Sequence, residues 1–438
     1  FFSARMAEMA TRVGADVATL EVADRAVAGL DEIADAIARE RPGAARPVRR
    51  PPRIALRRRA SRPARRMENN NLKQGDSPMG KRMSALCGLG LVSAGACAQS
   101  SLTLYGVADV YTEFLTGQVA PDGKSSASLV RMASGGKSGS RWGLKGVENL
   151  GGGWQAAFRV ESSINLTNGT GAGSGGFDRS AWVALQHDRW GALRLGRQYT
   201  TLFDIMERYS PTGAYSTLYE PDGAIVGINY RENNVVKYLA KLGALTLETH
   251  YAFSGTAGAF QSNAAYGAGF DYAGDAFSFA AAFDDVHTPQ PGGFAHFRRY
   301  AASALVPLGR AQLLAGVEHA RSDIAAPSVV TNFTFWWAGV RYAITDFLQV
   351  IGAVYYEHIR TQNPAHAPAP ASRPVSPQQV TLQLNYFVSK TVTLYLAGGY
   401  AHRAALDFDN DNYNFLHYSL AADRSGSAGV ALGLRKAF

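Results

Sequence analysis

From Ser101 onward the chain alternates. Leu102, Leu104, Gly106, Ala108 and Val110 share one face of an extended segment, and Thr103, Tyr105, Val107, Asp109 and Tyr111 share the other. A period of two with one apolar and one mixed face is the mark of a β-strand. The pattern recurs to the last residue, and it predicts sixteen strands near 101–114, 139–148, 153–164, 179–187, 192–198, 228–239, 244–253, 263–272, 276–284, 298–307, 311–320, 331–343, 347–359, 377–387, 391–403 and 427–438.

Few folds accept such a chain in a membrane. In hydrocarbon every backbone N–H and C=O must be satisfied within the protein, which leaves helices or closed barrels. The longest apolar run, Met83 to Ala98, holds 16 residues, short of the roughly 20 that a spanning helix needs. Tight turns such as Asn149-Leu150-Gly151 and Ser389-Lys390 alternate with long polar stretches such as 165–177, 287–297 and 360–376, which are expected as exposed loops. Short turns on one rim and long loops on the other describe an outer-membrane barrel. The expected fold is all-β, a 16-stranded antiparallel transmembrane β-barrel set in outer-membrane lipids and wide enough for a water-filled lumen. Trp154, Trp182, Trp190, Phe333, Phe335, Trp336, Trp337, Tyr355, Tyr356, Tyr386 and Phe387 recur near strand ends, where interfacial girdles are expected.

The segment before the alternation has a different character. Lys81 and Arg82, the apolar Leu86 to Val92 and the small residues Ala96-Cys97-Ala98 read as a signal peptide over 79–98, with Gln99 as the mature start. Acylation of Cys97 is disfavoured, because Ala94 stands where a large aliphatic residue is needed. Both cysteines, Cys87 and Cys97, lie in that peptide, so residues 99–438, the expected barrel domain, have no thiol for a disulfide, a thiolate metal site or a nucleophile. Residues 1–78, with ten arginines between Arg46 and Arg66, are read as an upstream extension outside the native protein. Of the 44 basic and 35 acidic residues, 18 and 10 fall before Gln99, leaving 26 against 25. The barrel is near-neutral, so no nucleic-acid partner is implied.

Ordered motifs then connect the chain to a known family. Ser101-Leu102-Thr103-Leu104-Tyr105-Gly106, Gly139-Ser140-Arg141-Trp142-Gly143-Leu144-Lys145-Gly146, Arg194-Leu195-Gly196-Arg197-Gln198-Tyr199 and the terminal Phe438 resemble the general bacterial porins, particularly those of β-proteobacteria. The resemblance implies a homotrimer of barrels passing small hydrophilic solutes and ions, assembled by machinery that reads the strand ending in Phe438. It also implies a third long loop, here about Tyr199 to Val226, folded into the channel. Acidic loop residues among Asp204, Glu207, Glu220 and Asp222 would then face a basic wall row of Arg141, Lys145, Arg179 and Arg231. Val107 departs from relatives that carry a basic residue after Tyr-Gly, and Lys436 replaces a more usual aromatic or histidine.

Other chemistry finds little support. Gly136-Lys137-Ser138 lacks the upstream glycine of a phosphate loop, since Arg131 stands there. Gly171, Gly173 and Gly176 match a dinucleotide fingerprint without a βαβ unit. Asp407, Asp409 and Asp411 open like a calcium loop, but Asn412 and Tyr418 break it. The nine histidines, His187, His250, His287, His296, His319, His358, His366, His402 and His417, show neither metal spacing nor a Gly-x-Ser-x-Gly elbow. No cofactor, metal site or enzymatic role is expected, and a loop-mediated adhesion role or an outer-membrane hydrolase are the alternatives.

Overall fold

The computed structural model describes residues 101–171, 175–213, 216, 218–221, 230–364, 376–408 and 418–438. The expectations for 1–78, the signal peptide, Asp222 and the Asp409/Asp411 pair lie outside these residues. Seventeen strand segments run in chain order: β1 Ser101–Val119, β2 Ser126–Ser134, β3 Arg141–Gly151, β4 Trp154–Ser163, β5 Ser180–His187, β6 Gly191–Tyr199, β7 Arg231–Leu242, β8 Leu245–Ala252, β9 Ala265–Ala273, β10 Ser278–Gln290, β11 Gly293–Leu308, β12 Ala311–Ser322, β13 Val330–Ala343, β14 Leu348–Gln362, β15 Gln378–Phe387, β16 Val392–His402 and β17 Gly426–Ala437. A short helix, α1, spans Thr201–Met206.

The segments make sixteen staves. One edge of β1 pairs with β3 through residues 101–107 and with β2 through 110–119, so β2 and β3 are two parts of one stave, interrupted at 135–140. The other edge of β1 pairs antiparallel with β17, which closes the barrel. Gly106 makes that closure possible. Its N–H and carbonyl bond the backbone of Phe438 at 3.0 and 3.1 Å, and a Cβ on Gly106 would lie 2.4 Å from the Phe438 ring.

The sequence reading was wrong about two connections. No strand is expected over 115–138, whereas β1 continues to Val119 and turns into β2. The alternation in Ser126–Ser134 is masked because Arg131 sits among its apolar residues on the inward face, ion-paired with Glu113 at 2.6 Å. The stretch 287–297 is not a loop: β10 and β11 extend as one hairpin with Pro291 and Gly292 at its tip. Pro289, Pro291, Gly292 and Gly293 signalled a loop, yet these breakers are compressed at the tip while pairing continues on both sides.

The two faces of the wall differ as the alternation requires. Leu102, Leu104, Val183, Leu193, Leu195, Val380, Leu382, Val430 and Leu432 are exposed on the outside, while their inward neighbours Asp109, Glu113, Gln379, Thr381 and Ala431 are buried. Trp154, Trp190, Trp336, Tyr356 and Tyr386 stand on the exposed outer face. The girdle expectation fails for Phe333, Phe335, Trp337 and Tyr355, which are buried inside, and for Trp182, whose strand partner is the inward Arg159. Among the described residues no helix is long and apolar enough to cross a membrane.

Candidate pore constriction

The connection from β6 to β7 supplies the barrel's interior. Thr200 caps α1, its hydroxyl accepting from the Phe203 N–H at 3.2 Å. Leu202, Phe203, Ile205, Met206 and Tyr209 then pack against inward wall residues including Val235, Ala280, Phe335 and Trp337. Further along, Trp337 Nε1 donates to the Tyr209 carbonyl at 2.9 Å and Arg341 Nε to the Pro211 carbonyl at 2.9 Å. Leu218 and Tyr219 pack with Tyr111, Leu115 and Tyr395 of the opposite wall. The segment therefore folds into the lumen, held to the inner faces of β7 through β15 and of β1.

Its anchors are charged. Lys237 on β7 donates to Asp204 of α1 at 2.7 Å and also to Glu248 on β8. His250 Nδ1 accepts from the Thr201 N–H at 3.1 Å. Directly paired inward positions carry the ladder onward from Lys237 to His250, Gly267, Asp284 and Arg299. Gly267 is required there, because a Cβ would meet Asp284 Oδ1 at 2.8 Å and His250 Cε1 at 2.9 Å. Arg299 donates to Asp284 at 2.6 Å, and both side chains are fully buried. Glu220, expected among the pore-facing acids, is consumed inside the loop. It accepts from Ser210 Oγ at 2.7 Å, the Ser216 N–H at 3.1 Å and Tyr355 Oη at 3.0 Å.

The wall that the loop does not cover is basic. Strand pairing places Arg141, Lys145 and Arg159 on the inward face with Val107, Thr103 and Trp182. Arg194 pairs with Ala184 and Lys237 on the same face. The guanidinium of Arg194 stacks 4.9 Å from the Trp182 ring, and that of Arg159 lies between Tyr105 at 5.7 Å and Trp182 at 5.8 Å. Arg179 sits just before β5 and turns inward to Glu161 at 2.7 Å and Tyr199 Oη at 3.0 Å. Arg141 shares Glu161 at 3.5 Å. Arg231 stacks over Tyr199 at 4.2 Å and Tyr230 at 4.4 Å.

The structure therefore separates the two expected acids. Asp204 is tied to Lys237, whereas Glu207 makes no ion pair among the described residues and lies within Coulombic reach of Arg141 and Arg159. Burial in the loop and the neighbouring Asp204 push the Glu207 carboxyl pKa upward, against the pull of those two arginines. Arg159 and Arg194 were missed by the sequence reading. Their signal was present, since Arg159 alternates with outward Phe158 and Val160 and Arg194 lies between outward Leu193 and Leu195.

A closed antiparallel barrel with an apolar outside, a polar inside and a loop narrowing its lumen belongs to the class of outer-membrane pores. The chain belongs to the Gram-negative porin family, whose model matches residues 84–405. It is similar to an outer membrane porin protein of Bordetella pertussis, 36% identical over 169 residues, which cover 36% of this chain and 43% of that one. It is also similar to outer membrane porin protein 32 of Delftia acidovorans, 36% identical over 141 residues covering 31% and 37%. The matched part spans less than half the length of these curated relatives. Among solved structures, the anion-selective porin from Comamonas acidovorans superposes with a TM-score of 0.63 at 21% identity, covering 78% of this chain and all of that one, a likeness of fold. The protein is one of the Gram-negative outer membrane.

Proposed function

We propose that the barrel is a passive diffusion channel for small hydrophilic solutes and ions, and that its constriction favours anions. The observation carrying this reading is the asymmetry across the gap: Asp204 is already paired with Lys237, so among the described loop residues Glu207 is the acid left within reach of Arg141 and Arg159, on a wall that also carries Lys145 and Arg194. The relative from Comamonas acidovorans is named for anion selectivity, which agrees with the charge argument. Tyr105 and Trp182 hold Arg159 and Arg194 in place without neutralising them, while Arg141 and Arg179 share one carboxylate, Glu161. Family membership supports a channel and not an enzyme, working as a homotrimer; cleavage before Gln99 and Phe438 as the assembly signal complete the proposal on the sequence pattern alone. Liposome swelling with neutral sugars of rising size, beside planar-bilayer recording, tests this reading. Swelling that stops at a size limit, with conductance closing in three equal steps, is expected; liposomes tight to the smallest sugar and to ions would overturn it.

A further inference from the structure

A second polar cluster lies away from the lumen. The β10–β11 hairpin pairs Asp285 with Arg298 and His287 with His296. Asp284 and Arg299 hold the inner face, so these four residues lie on the outer face, beyond the Phe283–Tyr300 aromatic pair and toward the long-loop rim. Asp285 and His287 are nevertheless covered, Asp285 fully buried and His287 3% exposed. His287 Nδ1 is 2.8 Å from the Gln261 carbonyl of the β8–β9 connection. A carbonyl only accepts, so Nδ1 carries the proton and Nε2 has a lone pair. Among the described residues that Nε2 is buried without a hydrogen-bond partner, 3.7 Å from Asp285 Oδ2. His296 Nδ1 approaches the same carboxylate at 2.9 and 3.1 Å.

A proton on His287 Nε2 would find no acceptor within hydrogen-bond reach among the described residues, but a metal ion would satisfy its lone pair. The three ligand atoms lie within 4.8 Å of one another. Two ligands on a tetrahedral zinc are separated by about 3.3 Å, from metal–ligand distances near 2.0–2.1 Å, and the 2.9 and 3.7 Å separations here bracket that value. The outer shell is also formed: the Gln261 carbonyl orients His287, Tyr266 Oη donates to Asp285 at 3.0 Å, and Phe294 stacks on the His287 ring at 4.5 Å. Two imidazoles and one carboxylate suit a first-row transition metal better than calcium or magnesium, which take oxygen ligands. Arg298 Nε competes for Asp285 at 3.0 Å, but its side chain is 41% exposed and has solvent to turn into.

We propose that Asp285, His287 and His296 form a zinc-class divalent metal site on the outer rim, clipping the β10–β11 hairpin beneath the β8–β9 connection. The sequence spacing hides it because only the hairpin brings His287 opposite His296. The test uses tag-free protein extracted from outer membranes and stripped with chelator. Titration with zinc should give one ion per chain, and cobalt should give the intense visible absorption of a tetrahedral site, whereas magnesium and calcium should not compete. His287→Ala and His296→Ala should each weaken zinc binding about tenfold or more, and Arg298→Gln should tighten it by removing the competing cation. Zinc should also raise the temperature at which the barrel loses heat-modifiable mobility on gels, by preferential binding to the folded state. No zinc uptake and no tetrahedral cobalt spectrum in the unaltered protein would overturn the proposal whatever the variants do. So would equal zinc binding by the His287→Ala/His296→Ala double variant, or weaker binding by Arg298→Gln.

Discussion

The two halves of the inner wall carry charge in opposite ways. Behind the inward loop, Lys237, Glu248, His250, Asp284 and Arg299 are sealed from water, and their polar contacts run to each other or to the loop. Across the gap, Arg141 keeps a quarter of its side chain exposed and Lys145 is exposed, with aromatic rings rather than carboxylates as the main neighbours of Arg159 and Arg194. Both halves come from the same inward parity of the same kind of strand. Coverage by the loop, not residue type, turns a wall charge into a structural anchor or leaves it available to ions.

The largest effect should come from breaking the sealed side. Arg299→Ala leaves Asp284 buried without its 2.6 Å partner, and removing one member of a buried pair costs about 3–5 kcal/mol. Denaturant or heat-modifiability midpoints should fall steeply, while selectivity of the barrels that do form should change little. A midpoint equal to that of the unaltered protein would merge the two halves.

Lys237→Met comes next, because it releases Asp204 from the wall and leaves Glu248 uncompensated. Stability should fall, and unlike Arg299→Ala this change should also add current noise and weaken anion preference, since a freed Asp204 joins Glu207 in the gap. Quiet, unchanged single-channel traces would contradict the anchoring role.

On the open side the effects should be electrical. Glu207→Gln should strengthen anion preference and remove its pH dependence. The carboxyl is raised by burial, so in the unaltered channel falling pH neutralises Glu207 above the ordinary glutamate range and strengthens anion preference there. Reversal potentials at several pH values measure this. The smallest effect is expected for Arg321→Ala. Arg321, next to the last residue of β12, lies on the exposed outer face opposite Arg298, where roughly 8 Å screening at physiological salt isolates it from the lumen.

Much of this was legible before any coordinates. Alternation sets Arg141 opposite the apolar Trp142 and Leu144, which suits an inward charge because one facing lipid at mid-depth costs about 2–4 kcal/mol, whereas Lys145 enters the row only through the family resemblance. Parity gives no guide to Arg179, which reaches Glu161 from a loop position just before β5, while the inward face of β5 carries Trp182 and Ala184 beside Arg159 and Arg194. The division of Asp204 from Glu207 was not legible, since it depends on which wall a six-residue helix lies against. The sealed ladder escaped for the same reason, as Lys237 and Arg299 are 62 positions apart in the sequence and meet only through intervening strands.

The zero-current potential across a salt gradient, compared between the unaltered channel and Arg141→Ala/Arg159→Ala, tests the account most directly. A unit charge at 4 Å in water is worth on the order of 1 kcal/mol, about a fivefold change in relative entry. An anion-preferring channel is expected, one that loses most of its preference in the double variant while its unfolding midpoint stays close to the original. A cation-preferring unaltered channel, or a double variant with the same reversal potential, would contradict it.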